Sequence, residues 1–149
     1  MICNYRSLLI FFLPVLFFFP VALLAQGNHC VAQKSPLKMG VAAGQPLYVS
    51  KCQVCHQADG AGLPDKNPSL IKSKLITGDK QQLIELMIKG VQAQPAPGVK
   101  KYSQEMPSYA GLSEEDLANL LTYIRRSFGN RASLVKPAEV KAVKERLKN

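Results

Sequence analysis

The chain carries two cysteines and a histidine in the run Cys52-Gln-Val-Cys55-His56. Two thiols separated by two residues can form thioether bonds to the two vinyl groups on one edge of a porphyrin. The residue that follows then lies beneath the iron, where the imidazole of His56 can supply a nitrogen ligand. The run therefore predicts one covalently attached haem c, held by Cys52 and Cys55 and ligated by His56.

Two other kinds of site also use closely spaced cysteines. A thiol–disulfide motif is typical of a βαβ context, and no β-rich segment surrounds Cys52 and Cys55. A zinc site needs four ligands, and the nearest further candidates, His29 and Cys30, lie in a polar stretch that follows the N-terminal apolar block. These neighbours favour haem attachment over both alternatives.

The second axial ligand is predicted to be Met106. The sequence has only two histidines, and we interpret His29 as a solvated residue rather than as a ligand. Met106 lies in a loop between two predicted helices, where a thioether can reach an iron atom and Pro107 stiffens the chain. The alternative is a loop methionine that caps the core. Of the other methionines, Met1 lies in the N-terminal segment, Met39 lies before the first predicted helix, and Met87 lies on an apolar helical stripe.

Apolar spacing and capping residues predict four helices and no strand. The first covers about residues 45–55, with Pro46 in its first turn. The second follows an N-cap at Asp79 and stops at residue 90. The third follows an N-cap at Ser113, has apolar residues at i, i+3, i+4 and i+7, and ends before residue 129. A basic helix over residues 137–147 completes an all-α fold.

The N-terminal 25 residues form an apolar block with a single charged residue, Arg6. Such a block is typical of a cleaved secretory signal, with an uncut membrane anchor as the alternative because its length just suffices to span a bilayer. Attachment of haem c outside the cytoplasm agrees with a periplasmic location. The predicted organisation is a signal or anchor, a flexible linker, a haem domain and a basic C-terminal extension, over residues 1–27, 28–39, 40–130 and 131–149.

Basic residues outnumber acidic ones by 19 to 10, which gives a net charge of +9. The aromatic residues do not alternate with the basic ones, which argues against a stacking platform for nucleic acid. A redox protein with an acidic docking surface is the favoured partner, with a membrane surface or simple solvation of the charges as alternatives. The unpaired Cys30 is expected to be a free thiol or an intermolecular link.

Over about residues 40–130 the chain resembles class I cytochromes c. Gly44 and Tyr48 precede Cys52 by eight and four residues, where that family has a glycine and an aromatic residue on its N-terminal helix. Leu120 and Tyr123 match the positions of the C-terminal helix that pack against them. The resemblance implies a small class I cytochrome c fold, with helices wrapped round one haem and a close helix crossing at Gly44.

The resemblance also implies roles for residues around the haem. Pro68 follows His56 by twelve residues, and its carbonyl is expected to accept a hydrogen bond from the imidazole. Leu70 matches a leucine that packs on the haem, and Met106 matches the axial methionine. The region after Met106 is similar to single-haem bacterial cytochromes, which occur alone or attached to periplasmic dehydrogenases, nitrite reductases or oxidases.

The expected function is single-electron transfer between redox proteins, rather than enzyme catalysis, because both axial positions of the iron are filled. One alternative is an electron-transfer subunit fixed to a membrane dehydrogenase. The other is a haem sensor or enzyme in which Met106 is displaced by a ligand.

Overall fold

A computed structural model describes residues 35–91, 102 and 104–149. The predicted signal or anchor and most of the predicted linker lie outside these residues. The described part is all-α, as expected, and its only extended pairings are two isolated bridges, Leu63–Asn67 and Val91–Met106. It contains no helix long and apolar enough to cross a membrane. The helices are α1 (Pro36–Lys51), α2 (Gln53–His56), α3 (Lys74–Thr77), α4 (Lys80–Lys89), α5 (Glu114–Arg126) and α6 (Pro137–Arg146).

The predicted start of the first helix, at about residue 45, was wrong, because helix α1 begins nine residues earlier, at Pro36. Ser35 is its N-cap and accepts a hydrogen bond from the Lys38 amide at 3.4 Å, and Pro36 occupies the first turn. This pair is a strong helix-start signal, so residues 36–39 are helical instead of forming the end of a linker. Pro46 consequently lies inside the helix, where it removes one backbone hydrogen bond.

The first predicted helix is also interrupted near its end. Helix α1 stops at Lys51, and Cys52 separates it from the single turn of α2. The Cys52 carbonyl accepts from the amides of Cys55 at 3.1 Å and His56 at 2.8 Å. The two cysteines and the histidine therefore belong to one compact turn at the end of α1.

Helices α1 and α5 cross with their backbones in contact. A Cβ atom added at Gly44 would overlap the Asn119 carbonyl and lie 2.7 Å from Tyr123 Cβ. Beside this point the ring of Tyr48 lies 5.4 Å from that of Tyr123 and 5.0 Å from that of Phe128, centroid to centroid. The close crossing that the resemblance implied is confirmed.

The predictions for α4 and α5 are confirmed at their N-terminal ends. Asp79 accepts a hydrogen bond from the Gln82 amide at 2.9 Å, and Ser113 accepts one from the Asp116 amide at 3.0 Å. The predicted apolar face of α5 is buried against α1 and the core, at residues Leu117, Leu120, Leu121 and Ile124. Glu114 and Glu115 in the first turn suit the positive end of the helix dipole.

Helix α6, predicted over residues 137–147, ends one residue earlier and packs on α4 and α5. Its side chains Val140 and Val143 are buried. The predicted basic extension is therefore part of the hydrophobic core. Ion pairs surround this contact, between Lys80 and Glu139, Lys144 and Glu114, and Arg146 and Glu85.

A buried arginine joins three parts of the fold. The Arg125 guanidinium donates to the carbonyls of Ile76 at 2.6 Å, Gly78 at 3.1 Å and Ser133 at 2.9 Å. These acceptors lie at the junction of α3 and α4 and in the segment that leads to α6. Burial lowers the pKa of Arg125, but an arginine keeps its charge at neutral pH. The carbonyls therefore solvate a permanent buried cation.

Candidate functional site

The turn of α2 brings Cys52, Cys55 and His56 to the wall of one cavity. Between them, Val54 also lines the cavity, and it is 81% exposed. Cys52 and His56, four residues apart, lie on the same side of the helical turn. The run therefore presents its three chemically active residues to the cavity.

The tautomer of His56 is fixed by its hydrogen bond to Pro68. The ring atom Nδ1 lies 3.0 Å from the Pro68 carbonyl oxygen, which can only accept, so Nδ1 carries the proton. Burial lowers the pKa of His56, which keeps the ring neutral at pH 7. The other ring nitrogen, Nε2, therefore has its lone pair available for a metal. The hydrogen bond implied by the resemblance is confirmed.

A tight turn holds Pro68 in place, and sequence reasoning missed the glycine it needs. Leu63 and Asn67 exchange two backbone hydrogen bonds, of 2.9 and 3.1 Å. Gly62 has a φ of +71°, and a Cβ atom there would lie 2.5 Å from the Asn67 carbonyl oxygen and 2.6 Å from that of Pro68. Only glycine fits this position. The spacing of Gly60 and Gly62 after His56 was the available signal.

Met106 is carried by an extended segment that is attached to the C-terminal end of α4. Met106 and Val91 exchange two backbone hydrogen bonds, of 2.8 and 2.9 Å. The Tyr109 amide donates to the Met87 carbonyl at 2.9 Å, and the Ser108 hydroxyl donates to the Ile88 carbonyl. These bonds direct the Met106 segment along the cavity.

The cavity has a volume of about 400 Å³ and is continuous in its lining with a narrower recess of about 90 Å³. Both are lined by Cys52, His56, Pro68 and Met106; Cys55 lines the first and Leu70 the second. All six residues predicted from the sequence are thus brought together. Sequence reasoning did not predict the other apolar and polar lining residues, including Leu75, Leu86, Tyr109, Asn67 and Gln104.

The state of Cys52 is unlike that of a thiol–disulfide motif. Burial, reinforced by the neighbouring Cys55, raises the pKa of the Cys52 thiol to about 11. Redox-active CxxC motifs instead depend on a lowered thiol pKa. Tyr109, whose hydroxyl donates to the Lys51 carbonyl at 2.9 Å, lies on the same side and has a pKa raised to about 12, mainly by burial. The surroundings of Cys52 are therefore apolar and poor at stabilising a thiolate.

The donor set and the cavity fit a covalently bound haem. Two thiols, a neutral imidazole with a free nitrogen and a thioether line one space, and this is the set of groups that c-type haem uses. The volume lies within the range of roughly 300–1,000 Å³ that is typical of cofactor pockets. The fold and the site thus define a class: small helical proteins built round a covalently attached haem.

Comparisons with known proteins give the family. The sequence model of the cytochrome c family matches residues 41–127. Cytochrome c-552 from Thermus thermophilus is 30% identical over 115 residues, which cover 73% of this chain and 77% of that protein. The chain belongs to the cytochrome c family. It is an electron-transfer protein with one covalent haem c, and not an enzyme.

A second group of relatives consists of larger proteins. The cytochrome c subunit of a quinone-dependent alcohol dehydrogenase from Gluconacetobacter polyoxogenes is 29% identical over 115 residues, which are 72% of this chain and 24% of that subunit. The corresponding subunit from Gluconobacter oxydans is 28% identical over 92 residues, or 60% and 19% of the two chains. The family thus includes both c-552 proteins and dehydrogenase subunits.

Proposed function

We propose that this protein is a periplasmic single-haem electron carrier in which Cys52 and Cys55 bind the haem and His56 and Met106 are the axial ligands. The observation that carries the proposal is that these four side chains line one apolar cavity. When bound, the haem supplies a reversible one-electron couple. The protein's own residues attach it, orient it and keep water away from it.

The roles of the surrounding residues follow from their contacts. The Pro68 carbonyl holds the His56 ring with Nε2 free, and this hydrogen bond increases the basicity of the ring. Leu70 and the recess side chains Met87 and Ile124 supply an apolar wall. A thioether ligand from Met106 raises the reduction potential relative to a site with histidine alone.

The extent of similarity favours a carrier over a dehydrogenase subunit. The match to cytochrome c-552 covers 77% of that protein, whereas the match to the alcohol dehydrogenase subunit covers 24% of that chain. A fixed subunit is the second candidate, because 72% of this chain aligns with such a subunit. Fractionation of cells followed by mass measurement of the haem protein separates the two. A processed chain in the periplasmic fraction supports the carrier, and an uncut chain that copurifies with a membrane dehydrogenase contradicts it.

Axial ligation is tested by replacing Met106 and, as a control, the exposed Met39. The wild-type ferric protein should show the long-wavelength methionine–iron charge-transfer band, and its ferrous form should resist carbon monoxide at neutral pH. Met106→Ala should lose the band and bind carbon monoxide rapidly, while Met39→Leu, 57% exposed on α1, should keep both properties. A wild-type protein that lacks the band or binds carbon monoxide rapidly would contradict ligation by Met106.

The basic character of the chain supports an acidic docking partner. Lys51 lies at the cavity wall close to the exposed Val54, and the net charge is +9. Lys51→Gln should slow electron exchange with an anionic probe, hexacyanoferrate, about two- to fourfold at 10 mM salt and much less at high salt. The control Lys38→Gln removes the same charge about 20 Å away along α1 and should have a smaller effect. Equal effects of the two variants would indicate that only net charge matters.

A further inference from the structure

A side-chain contact connects the Met106 segment to the loop on the His56 side of the cavity. The Oε1 atom of Gln104 accepts a hydrogen bond from Asn67 Nδ2 at 3.2 Å. The Gln104 amide also donates to the Lys66 carbonyl at 3.4 Å. Cys55 Sγ lies 3.8 Å from the same Oε1 atom, but a thioether sulfur has no proton to donate. The bond between Gln104 and Asn67 is therefore the side-chain contact that persists after haem attachment.

The two ends of this contact adjoin the two predicted axial ligands. Gln104 precedes Met106 by two residues, and Asn67 directly precedes Pro68, whose carbonyl holds His56. On its other side, the Met106 segment is attached to the C-terminal end of α4 through Val91. The segment is thus fixed near the C-terminal end of α4 through Val91 and joined to the loop before Pro68 through Gln104.

Asn67 is a buried and well-held hydrogen-bond donor, whereas its acceptor, Gln104, has an exposed side chain. Asn67 is only 6% exposed, and its backbone is held by the two hydrogen bonds with Leu63. Its Oδ1 atom is the one buried side-chain oxygen or nitrogen without a hydrogen-bond partner in the described part of the chain. Because burying an unpaired acceptor is unfavourable, a carboxamide here needs a compensating role, and its Nδ2 group supplies one by binding Gln104. Gln104 itself is exposed, so its side chain can leave without exposing the core.

We propose that the hydrogen bond between Gln104 and Asn67 is a latch that holds the Met106 segment against the His56 loop. The latch rests on the proposed axial ligation and extends it with two positioning residues. When it is closed, Met106 is kept beside the iron and small ligands from solution are excluded. When it opens, the segment keeps its backbone hydrogen bonds to Val91 and Lys66, but the Met106 side chain is held less firmly, so that an added ligand competes more successfully with Met106.

The test is a titration of the purified ferric holoprotein with imidazole, followed through the methionine–iron charge-transfer band. A hydrogen bond of ordinary net strength predicts that Gln104→Ala increases the apparent affinity for imidazole roughly two- to tenfold. Gln104→Glu replaces the carboxamide oxygen with a carboxylate oxygen that can still accept from Asn67, so it should stay within about twofold of wild type. Gln81→Ala, an exposed change on α4 away from the cavity, is the matched control and should leave the affinity unchanged.

A double-mutant cycle isolates the contact from other effects of the substitutions. In an Asn67→Ala background, Gln104→Ala should cause little further change. If Asn67→Ala fails to fold, the Gln104 series alone decides, because that side chain is exposed. Wild-type affinity in Gln104→Ala, an effect of Gln104→Glu equal to that of Gln104→Ala, or additive effects in the cycle would overturn the latch. A wild-type protein without the charge-transfer band would instead overturn the axial ligation on which the latch rests.

Discussion

The crossing of α1 and α5 and the segment that carries Met106 are stabilised in different ways. At the crossing, Gly44 lies against the backbone of Asn119, and the buried ring of Tyr48 fills the space beside it. The Met106 segment is held mainly by hydrogen bonds to Val91 and the end of α4, and Met106 itself is only half-buried. Steric fit fixes the first region, whereas a small number of polar contacts fix the second.

This difference has a functional consequence. A close-packed crossing has one arrangement, because any displacement loses many contacts together. A hydrogen bond contributes only about 0.5–1.5 kcal/mol net, so a segment held by a few of them can detach while the rest of the fold remains. We therefore expect substitutions at the crossing to change the stability of the whole protein, and those in the segment to change mainly the competition for the iron.

The largest predicted effect is the loss of the fold when the haem is absent, which shows whether the crossing of α1 and α5 can fold by itself. A Cys52→Ala, Cys55→Ala chain produced without haem should be largely unfolded by far-UV circular dichroism. If haem burial removes about 500 Å² of apolar surface from water, it contributes up to roughly 12 kcal/mol, which is comparable to the net stability of a whole domain. Near-native helicity in this chain would show that the crossing is sufficient by itself.

The next effect compares two glycines on α1 that both face α5. Gly44→Ala should destabilise the holoprotein by about 3 kcal/mol or more, because the new Cβ meets the backbone of Asn119, which cannot rotate away. Gly40→Ala places its Cβ 3.2 Å from the Thr122 side chain, and the helix gains up to about 1 kcal/mol in propensity. It should be close to neutral. Denaturant unfolding measures the free energy of unfolding of both variants. Equal losses would contradict the inference that a Cβ at Gly44, unlike one at Gly40, meets the backbone of α5.

The next smaller loss of stability is expected when the hydrogen bonds of the buried Arg125 are removed. Arg125→Met should cost about 2–4 kcal/mol, because it leaves the buried carbonyl of Ile76 and the partly buried carbonyl of Ser133 without their charged donor. The neighbouring Arg126 is exposed, so Arg126→Met should stay within about 0.5 kcal/mol of wild type. Thermal unfolding of the holoproteins compares the two. Similar losses would mean that charge, and not the buried hydrogen bonds, decides the outcome.

The sequence was sufficient where local chemistry determines the structure. Asp79 and Ser113 begin α4 and α5 because their side chains cap the first amides, and this requires no knowledge of the rest of the fold. The cysteine and histidine spacing likewise acts within one turn. The start of α1 was also locally signalled by Ser35 and Pro36, but the weak apolar periodicity of that helix hid it.

The remainder depends on contacts between distant parts of the chain. The bridge between Val91 and Met106 uses backbone groups only, so no side-chain type indicates it. The contact between Asn67 and Gln104 joins residues 37 positions apart, and each alone is an ordinary polar loop residue. The sequence predicted α6 as a basic helix but not its packing on α4 and α5, although Val140 and Val143 are spaced for one apolar face.

The smallest predicted effect lies at the surface, where α6 meets α4. Glu85 is paired with Lys89 at 2.6 Å and with Arg146 at 3.0 Å. The hydrogen bond from Lys89, with the two nearby positive charges, lowers the pKa of Glu85 from its ordinary value. Because the folded pKa is the lower one, this stabilisation is present above the unfolded pKa and is lost as the pH falls through the folded value.

Glu85→Gln should therefore lower the melting temperature slightly at pH 7, and the difference from wild type should vanish in acid and shrink in high salt. Melting curves of the two proteins between pH 3 and pH 7 measure it. A difference that persists below the folded pKa would mean that Glu85 acts through packing on α6, and the surface contact would then belong with the sterically fixed part of the molecule.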